Sequence, residues 1–298
     1  MGPWYVHDGY TTRRVKGTKK TWAVLFTCLT SRAVNMEMLP SLDTTAMKNV
    51  LSRFTALRDE SNLIRSDRGT NFIAASDCAN LKQITEDLGK AKAKWIFNPP
   101  HSSHFGGVWE RKIGQIKRAL DSSLGLLGNR VPSRDELSTL MQEASAIVNS
   151  TPLWEISDDP NDPLPLTPSM LLTMKRQAHS VEDFSEHDLN AYGNKFWRRA
   201  QCLADKFWRD WRTYYLQDLQ KRQKWQTKSE NLKSGDLVLL KDKNAPRKQW
   251  PMGLVLSVKE SDDGLVRSLK VKSYGSENRS KASIFERPIS SVVLLIKQ

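Results

Sequence analysis

The chain has 298 residues, 39% hydrophobic and 27% charged, enough for two compact units with a sizeable core. Its 15 Gly and 13 Pro exclude collagen-like or low-complexity sequence, and its three cysteines, Cys28, Cys78 and Cys202, are too scattered for a disulfide framework. The net charge of +13 is uneven: residues 1–194 hold 23 basic against 22 acidic side chains, residues 195–225 hold 9 against 3, and residues 226–298 hold 14 against 8.

Residues 22–29 form a near-continuous apolar run, as in a strand buried on both faces, and residues 32–39 alternate after a Thr30-Ser31 turn, which predicts a hairpin. Asp43 precedes a helix-period stripe of Ala46, Met47, Val50, Leu51 and Phe54, and its carboxylate can cap the first turn. A short strand over residues 63–66, a helix around 80–88 and a strand over 94–97 ending at Pro99-Pro100 complete an α/β layer.

Gly106-Gly107 leads into a helix over 108–124, with Val108, Ile113, Ile116, Ala119 and Leu120 as its apolar stripe and Arg111, Lys112, Lys117 and Arg118 interspersed. Ser133 with Glu136 three residues later is a capping box that opens a second helix to about Asn149, closed by Pro152. A proline-rich, acidic connection follows, then a short helix over 169–175. Residues 194–225 give the longest helical pattern, where Phe196, Leu203, Phe207 and Trp211 read as core rather than as base-stacking side chains. Beyond Trp225 the period changes: residues 235–240, 253–258, 266–271 and 290–296 are short strands of a small β-barrel.

The basic excess lies in these last two segments. Neutralising a phosphate with Lys or Arg releases a condensed counterion, so a nucleic acid is the natural partner; a solvated basic surface is the alternative. Lys241, Lys243, Arg247 and Lys248 form a candidate phosphate-tracking patch. No apolar run approaches the roughly 18 residues of a membrane span. No leader is apparent before Trp4, and a reducing, intracellular setting without a membrane partner is expected.

Two carboxylates stand out. Asp67, in Ser66-Asp-Arg-Gly-Thr-Asn71-Phe72, follows a strand expected to be buried, at the sheet edge where ligands gather. It reads either as a ligand for a divalent cation or as a turn cap. Glu110 opens a helix just after a glycine pair, where a carboxylate is also favoured by the helix dipole alone. His101 and His104 are read as loop or DNA-contact residues rather than zinc ligands. Lys117, two turns beyond Glu110 on nearly the same face, is either a phosphate contact or a solvated lysine.

Several stretches in order carry a resemblance: Phe26-Thr-Cys-Leu-Thr-Ser-Arg-Ala-Val34, Ser66-Asp67 through Phe72, Phe97-Asn-Pro-Pro100, His104-Phe-Gly-Gly-Val-Trp-Glu-Arg111, Leu166-Thr-Pro-Ser-Met-Leu-Leu172, Lys233-Ser-Gly-Asp-Leu-Val238 and Trp250-Pro-Met-Gly253. The chain resembles the integrase of BEL/Pao-type long-terminal-repeat retrotransposons. The resemblance implies an α/β fold with an RNase H-like integrase core, residues 1–178. It further implies a basic C-terminal domain, residues 179–298, made of the helix 194–225 and a small SH3-like β-barrel over 232–297. It also implies DNA integration by phosphoryl transfer, with an Asp, Asp, Glu triad holding two Mg²⁺ ions that activate the nucleophile and stabilise the leaving oxygen.

On this resemblance Asp67 matches the second Asp and Glu110 the Glu, as catalytic residues and metal ligands, and Asn71, His104, Arg111 and Lys117 are implied nucleic-acid contacts. The first Asp of the family stands just before a Gly-Pro pair, and here Gly2-Pro3 follows Met1 alone. That ligand is therefore expected to be missing, with Asp8 out of register, at most one Mg²⁺ weakly held and catalysis impaired. Arg68 stands where the family has Asn and can compete with the cation electrostatically. The expected partners are retrotransposon ends and target DNA, with homo-oligomers, acting in the nucleus. A domesticated or remnant DNA-binding protein without catalysis is the alternative, and a nuclease with an unconventional metal set is a third reading.

Overall fold

Alternation, caps and turns set the local structure. The computed structural model describes residues 1–7, 17–58, 63–66, 94–98, 107–155, 165–175, 195–219, 231–242, 245–261, 264–274 and 282–297. By its contacts the chain divides into two units: Met1–Leu29, Val34–Ser145 and Glu186–Ala204 in the first, and Thr30–Ala33, Ala146–Ser185 and Asp205–Gln298 in the second. This division is interleaved in sequence, unlike the 178/179 boundary that the resemblance implies: residues 146–185 are assigned to the second unit and residues 186–204 to the first.

In the first unit β1 (Trp4–His7), β2 (Thr18–Thr27) and β3 (Val34–Leu39) form an antiparallel sheet in that order. The predicted hairpin is β2–β3, in register from Trp22↔Leu39 to Thr27↔Val34. Burial is the reverse of the expectation. Every residue of β3 is buried, whereas most of the apolar run in β2 is only half-buried. Of the polar residues of β3, Glu37 is satisfied from α1 (Thr44–Arg58), Arg53 Nε donating to it at 3.0 Å, whereas the Nδ2 of buried Asn35 has no hydrogen-bond partner among the described residues. The Met36 backbone is met by the helix α3 (Arg134–Asn149), Ser145 Oγ accepting from the Met36 N–H at 3.1 Å and Gln142 donating to the Met36 carbonyl at 2.8 Å.

The Asp43 cap forms as predicted, its Oδ1 accepting from the Ala46 N–H at 2.7 Å. Helix α1 places Val50 and Ala46 against Leu39, Trp22 and Val24, and Leu51 against Phe26, Ile64 and Trp95. One helix thus covers both the hairpin and the parallel pair β4 (Leu63–Ser66) and β5 (Lys94–Phe97). Strand β4 is not the buried strand expected, since Leu63 is 49% exposed. The helix expected over 80–88 lies outside the described residues.

Helix α2 (Gly107–Gly125) buries Ile116, Ala119 and Leu120, as the stripe predicts. The capping box of α3 is complete: Ser133 Oγ accepts from the Glu136 N–H at 3.1 Å and Glu136 Oε2 from the Ser133 N–H at 2.7 Å. Glu136 also meets Arg199 at 2.6 Å, both side chains about 5% exposed or less.

In the second unit the connection expected to be irregular contains a short antiparallel pair, β6 (Trp154–Glu155) with β7 (Pro165–Leu166), before the helix α4 (Pro168–Thr173). The long helix is α5 (Lys195–Leu219), assigned to the first unit as far as Ala204 and to the second from Asp205. Its second part buries Phe207, Trp208 and Trp211, and the indoles are satisfied: Trp208 donates to Ala245 O and Trp211 to Thr151 Oγ1, each at 3.1 Å. Phe196, expected in the core, lies in line with the buried stripe but in the first turn of α5, where it is 59% exposed with the Arg199 guanidinium 5.0 Å from its ring centroid.

Five strands, β8 (Leu237–Leu240), β9 (Met252–Glu260), β10 (Val266–Tyr274), β11 (Ala282–Pro288) and β12 (Val292–Ile296), form one antiparallel sheet of order β11-β10-β9-β8-β12. Val238, Val255, Leu269, Val271 and Val292 form its core. Strand β11 was not foreseen.

Candidate metal and nucleic-acid site

The site is built where β4 and β5 end together. Their parallel register brings Ser66 opposite Phe97, and the end of β4 is held three ways. Ser66 Oγ accepts from Trp95 Nε1 at 3.1 Å, the Ser66 carbonyl accepts from the Asn98 N–H at 2.9 Å, and Asn98 Oδ1 accepts from Arg65 Nε at 2.8 Å. Asp67 is the next residue in sequence, but it, Asn71 and His104 lie outside the described residues.

Glu110 stands in the first turn of α2, exposed, with no hydrogen-bond or ion-pair partner for its carboxylate among the described residues. A free carboxylate is a chemically suitable ligand for a hard divalent cation. Among the described residues no group of three or more His, Cys, Asp or Glu side chains is placed to hold a metal. Arg111 and Lys117 are exposed on the same helix, so α2 brings three of the sequence-predicted residues onto its solvent side. Farther along, Asp121 Oδ1 accepts from Trp4 Nε1 at 2.8 Å, tying α2 to β1.

The C-terminal patch is rearranged relative to the sequence expectation. Arg247 is 4% exposed and faces Asp205 at 3.3 Å, so it serves the interior of the second unit rather than a surface phosphate. Lys241 donates to the Ser290 carbonyl at 2.7 Å, Lys248 is half-buried with a left-handed φ of 65°, and Lys243 lies outside the described residues. The charge of α5 is likewise partly internal. Arg199 faces Glu136, Lys206 donates to Asp210 at 2.6 Å, and burial pulls the Arg212 guanidinium below its ordinary range against the opposing charge of Asp242.

The structure offers a different basic surface. Lys270 pairs with Ser257 and Glu286 across the sheet, Ser268 with Lys259, and Lys272 with Leu254 and Ile284. With Leu269 and Val271 inward, Lys259, Lys270 and Lys272 share the outer face of β9 and β10. The Lys270-Val271-Lys272 alternation carried this signal in sequence, but register shifts at Val266/Ser268 and Lys270/Val271 hide the facing of Lys259.

Comparisons with known proteins bear mainly on this second part. A model described as "Family of unknown function (DUF5641)" matches residues 195–295. No curated protein matches the chain. Among solved structures, the cryoEM structure of the simian T-cell lymphotropic virus intasome in complex with PP2A regulatory subunit B56 gamma is similar over 93% of this chain and 73% of that chain, at a TM-score of 0.39 and 12% identity. Among the described residues no helix is long and apolar enough to cross a membrane.

Proposed function

We propose that the chain is a DNA-binding protein of the integrase type, BEL/Pao-like, with an RNase H-like part in residues 1–178 and a basic part in residues 179–298 built on an SH3-like barrel. By descent its motifs serve Mg²⁺-dependent phosphoryl transfer on DNA, impaired here with at most one ion weakly held by two carboxylates, and its setting is the nucleus, as an oligomer on DNA ends and target. The observation that carries the reading is the placement of Glu110: an exposed carboxylate, without a partner among the described residues, in the first turn of a basic helix, reached after a parallel strand pair that Asp67 follows in sequence.

Asp67 and Glu110 would hold the cation, which supplies charge neutralisation at a reacting phosphoryl oxygen. Lys117 and Arg111 on α2, and Lys259, Lys270 and Lys272 on the outer sheet face, bind and orient the backbone. Anisotropy titration of labelled duplex DNA over a range of salt, with Mn²⁺ binding followed by electron paramagnetic resonance, tests both halves. Affinity should fall steeply with salt, and Glu110→Gln and Asp67→Asn should each weaken Mn²⁺ binding. A flat salt response refutes DNA binding by this surface. Unchanged Mn²⁺ binding in both variants removes the metal site and leaves the non-enzymatic DNA-binding reading.

A further inference from the structure

We infer that Gly114 is a close-approach point for the sugar–phosphate backbone of duplex DNA on the exposed face of α2; this rests on the reading above and names where DNA meets the helix. A glycine inside a helix weakens it relative to alanine, so its presence calls for a reason. Among the described residues none is found. Gly114 does not have the positive φ of Gly128 or Gly235, and α2 runs uninterrupted through it from Gly107 to Gly125. A Cβ added there would meet nothing within 4 Å, whereas at Gly253 it would strike Val271 Cγ1 at 2.1 Å. Neither backbone conformation nor packing among the described residues requires the missing side chain.

The position of Gly114 on the helix supplies the reason. At roughly 100° per residue it lies about 40° round from Glu110 and about 60° from Lys117. That is the middle of the solvent face, opposite buried Ile116, Ala119 and Leu120. Exposed Arg111, Lys117 and Arg118 surround it. Bare Cα atoms stand about 2.3 Å from a helix axis while side chains reach about 5–6 Å, so a glycine here makes a notch with cationic walls. A phosphate backbone can settle into such a notch, and the surrounding side chains neutralise it. Gly114 thereby sets how closely DNA approaches Glu110.

The experiment measures stability and DNA affinity separately in the full chain. Gly114→Ala, Gly114→Leu and Lys117→Gln are compared by thermal unfolding and by anisotropy with a fluorescein-labelled duplex. Gly114→Ala should raise the Tm by about 3 °C, because alanine is the better helix former, and yet bind DNA more weakly. Gly114→Leu should weaken binding by about tenfold, equivalent to about 1.4 kcal/mol, and Lys117→Gln should reduce the salt slope by about one contact.

If Lys117→Gln weakens binding while both glycine variants bind as the unaltered chain does, the notch is refuted and the α2 interface stands. If neither Lys117→Gln nor Gly114→Leu changes affinity, DNA does not dock on this face and the inference falls. If the unaltered chain fails to bind DNA, the functional reading fails with it. A lowered Tm for Gly114→Ala would show a structural demand for glycine and overturn the argument.

Discussion

Removing the carboxylate of Glu136 should be among the most damaging single changes in the first unit. Glu136 does two things at once: Oε2 accepts from the Ser133 N–H at 2.7 Å, closing the capping box of α3, and Oε1 lies 2.6 Å from Arg199 Nε. Both side chains are almost fully enclosed, at 4% and 5% exposure. Glu136→Ala therefore leaves a buried guanidinium without its counter-charge, a loss of about 3–5 kcal/mol for such pairs. It also removes the cap, worth about 1 kcal/mol. Arg199 Nε has no in-line hydrogen-bond acceptor, so the contact is ionic rather than a well-directed bond. The lower end of that range applies, giving a total of about 4 kcal/mol.

Arg199→Met likewise leaves the Glu136 carboxylate buried without its counter-charge, though still bonded to the Ser133 N–H, and should cost about 3 kcal/mol. The double variant, with neither charge buried, should cost about 2 kcal/mol, less than Glu136→Ala by itself. Urea unfolding followed by far-ultraviolet circular dichroism, compared at equal slope, reads these values. If Glu136→Ala costs about 1 kcal/mol, and adding Arg199→Met recovers nothing, only the cap contributes and the buried-pair reasoning is wrong.

Two further outcomes follow from single contacts. Gly253→Ala would drive its Cβ to 2.1 Å from Val271 Cγ1, so it should destabilise the five-stranded sheet by about 1–3 kcal/mol; Val271→Ala in the same chain should restore part of that loss in thermal unfolding, and equal stability of the single and double variants would refute the clash. Hydrogen bonds from Ser41 and then from the Ala46 N–H hold the Asp43 carboxyl below its ordinary range, so the stability it lends is present above the unfolded-state pKa and is lost as pH falls through the folded one; Asp43→Asn should flatten that acid limb in a pH series of unfolding curves, and an unaltered limb would refute the assignment.

Local signals were legible in sequence where the physics is local. The Asp43 cap and the Ser133–Glu136 box depend on residues three apart, and both form with short hydrogen bonds. Burial was less legible because neighbours distant in sequence decide it. Strand β3 looks half-polar, yet it is enclosed because Arg53 pairs with Glu37, and Ser145 and Gln142 satisfy the Met36 backbone. Arg247 sits among lysines in sequence and reads as surface charge until Asp205, more than forty positions earlier, is found beside it. The exposure of Glu110, Arg111 and Lys117 was readable because a helix period places them on the solvent side of α2. The basic face of β9–β10 was obscured because two register shifts break the simple alternation that would otherwise assign each side chain.

The order β11-β10-β9-β8-β12 also bears on how the chain behaves at high concentration. A strand at the margin of a sheet offers its backbone to other molecules, the commonest start of unwanted association. Among the described residues the ladder of β11 runs to β10 alone. That margin is guarded by its own composition: Glu286 and Arg287 are exposed, Pro288 lacks an N–H to donate, and the Arg287 guanidinium lies 4.7 Å from the Phe285 ring centroid, covering its apolar face with charge. Ile284, 62% exposed, is the gap in that guard. Self-association through this sheet, if it is to begin at β11, therefore has a single apolar foothold, and the charged residues beside it keep two such margins from lying flat against each other.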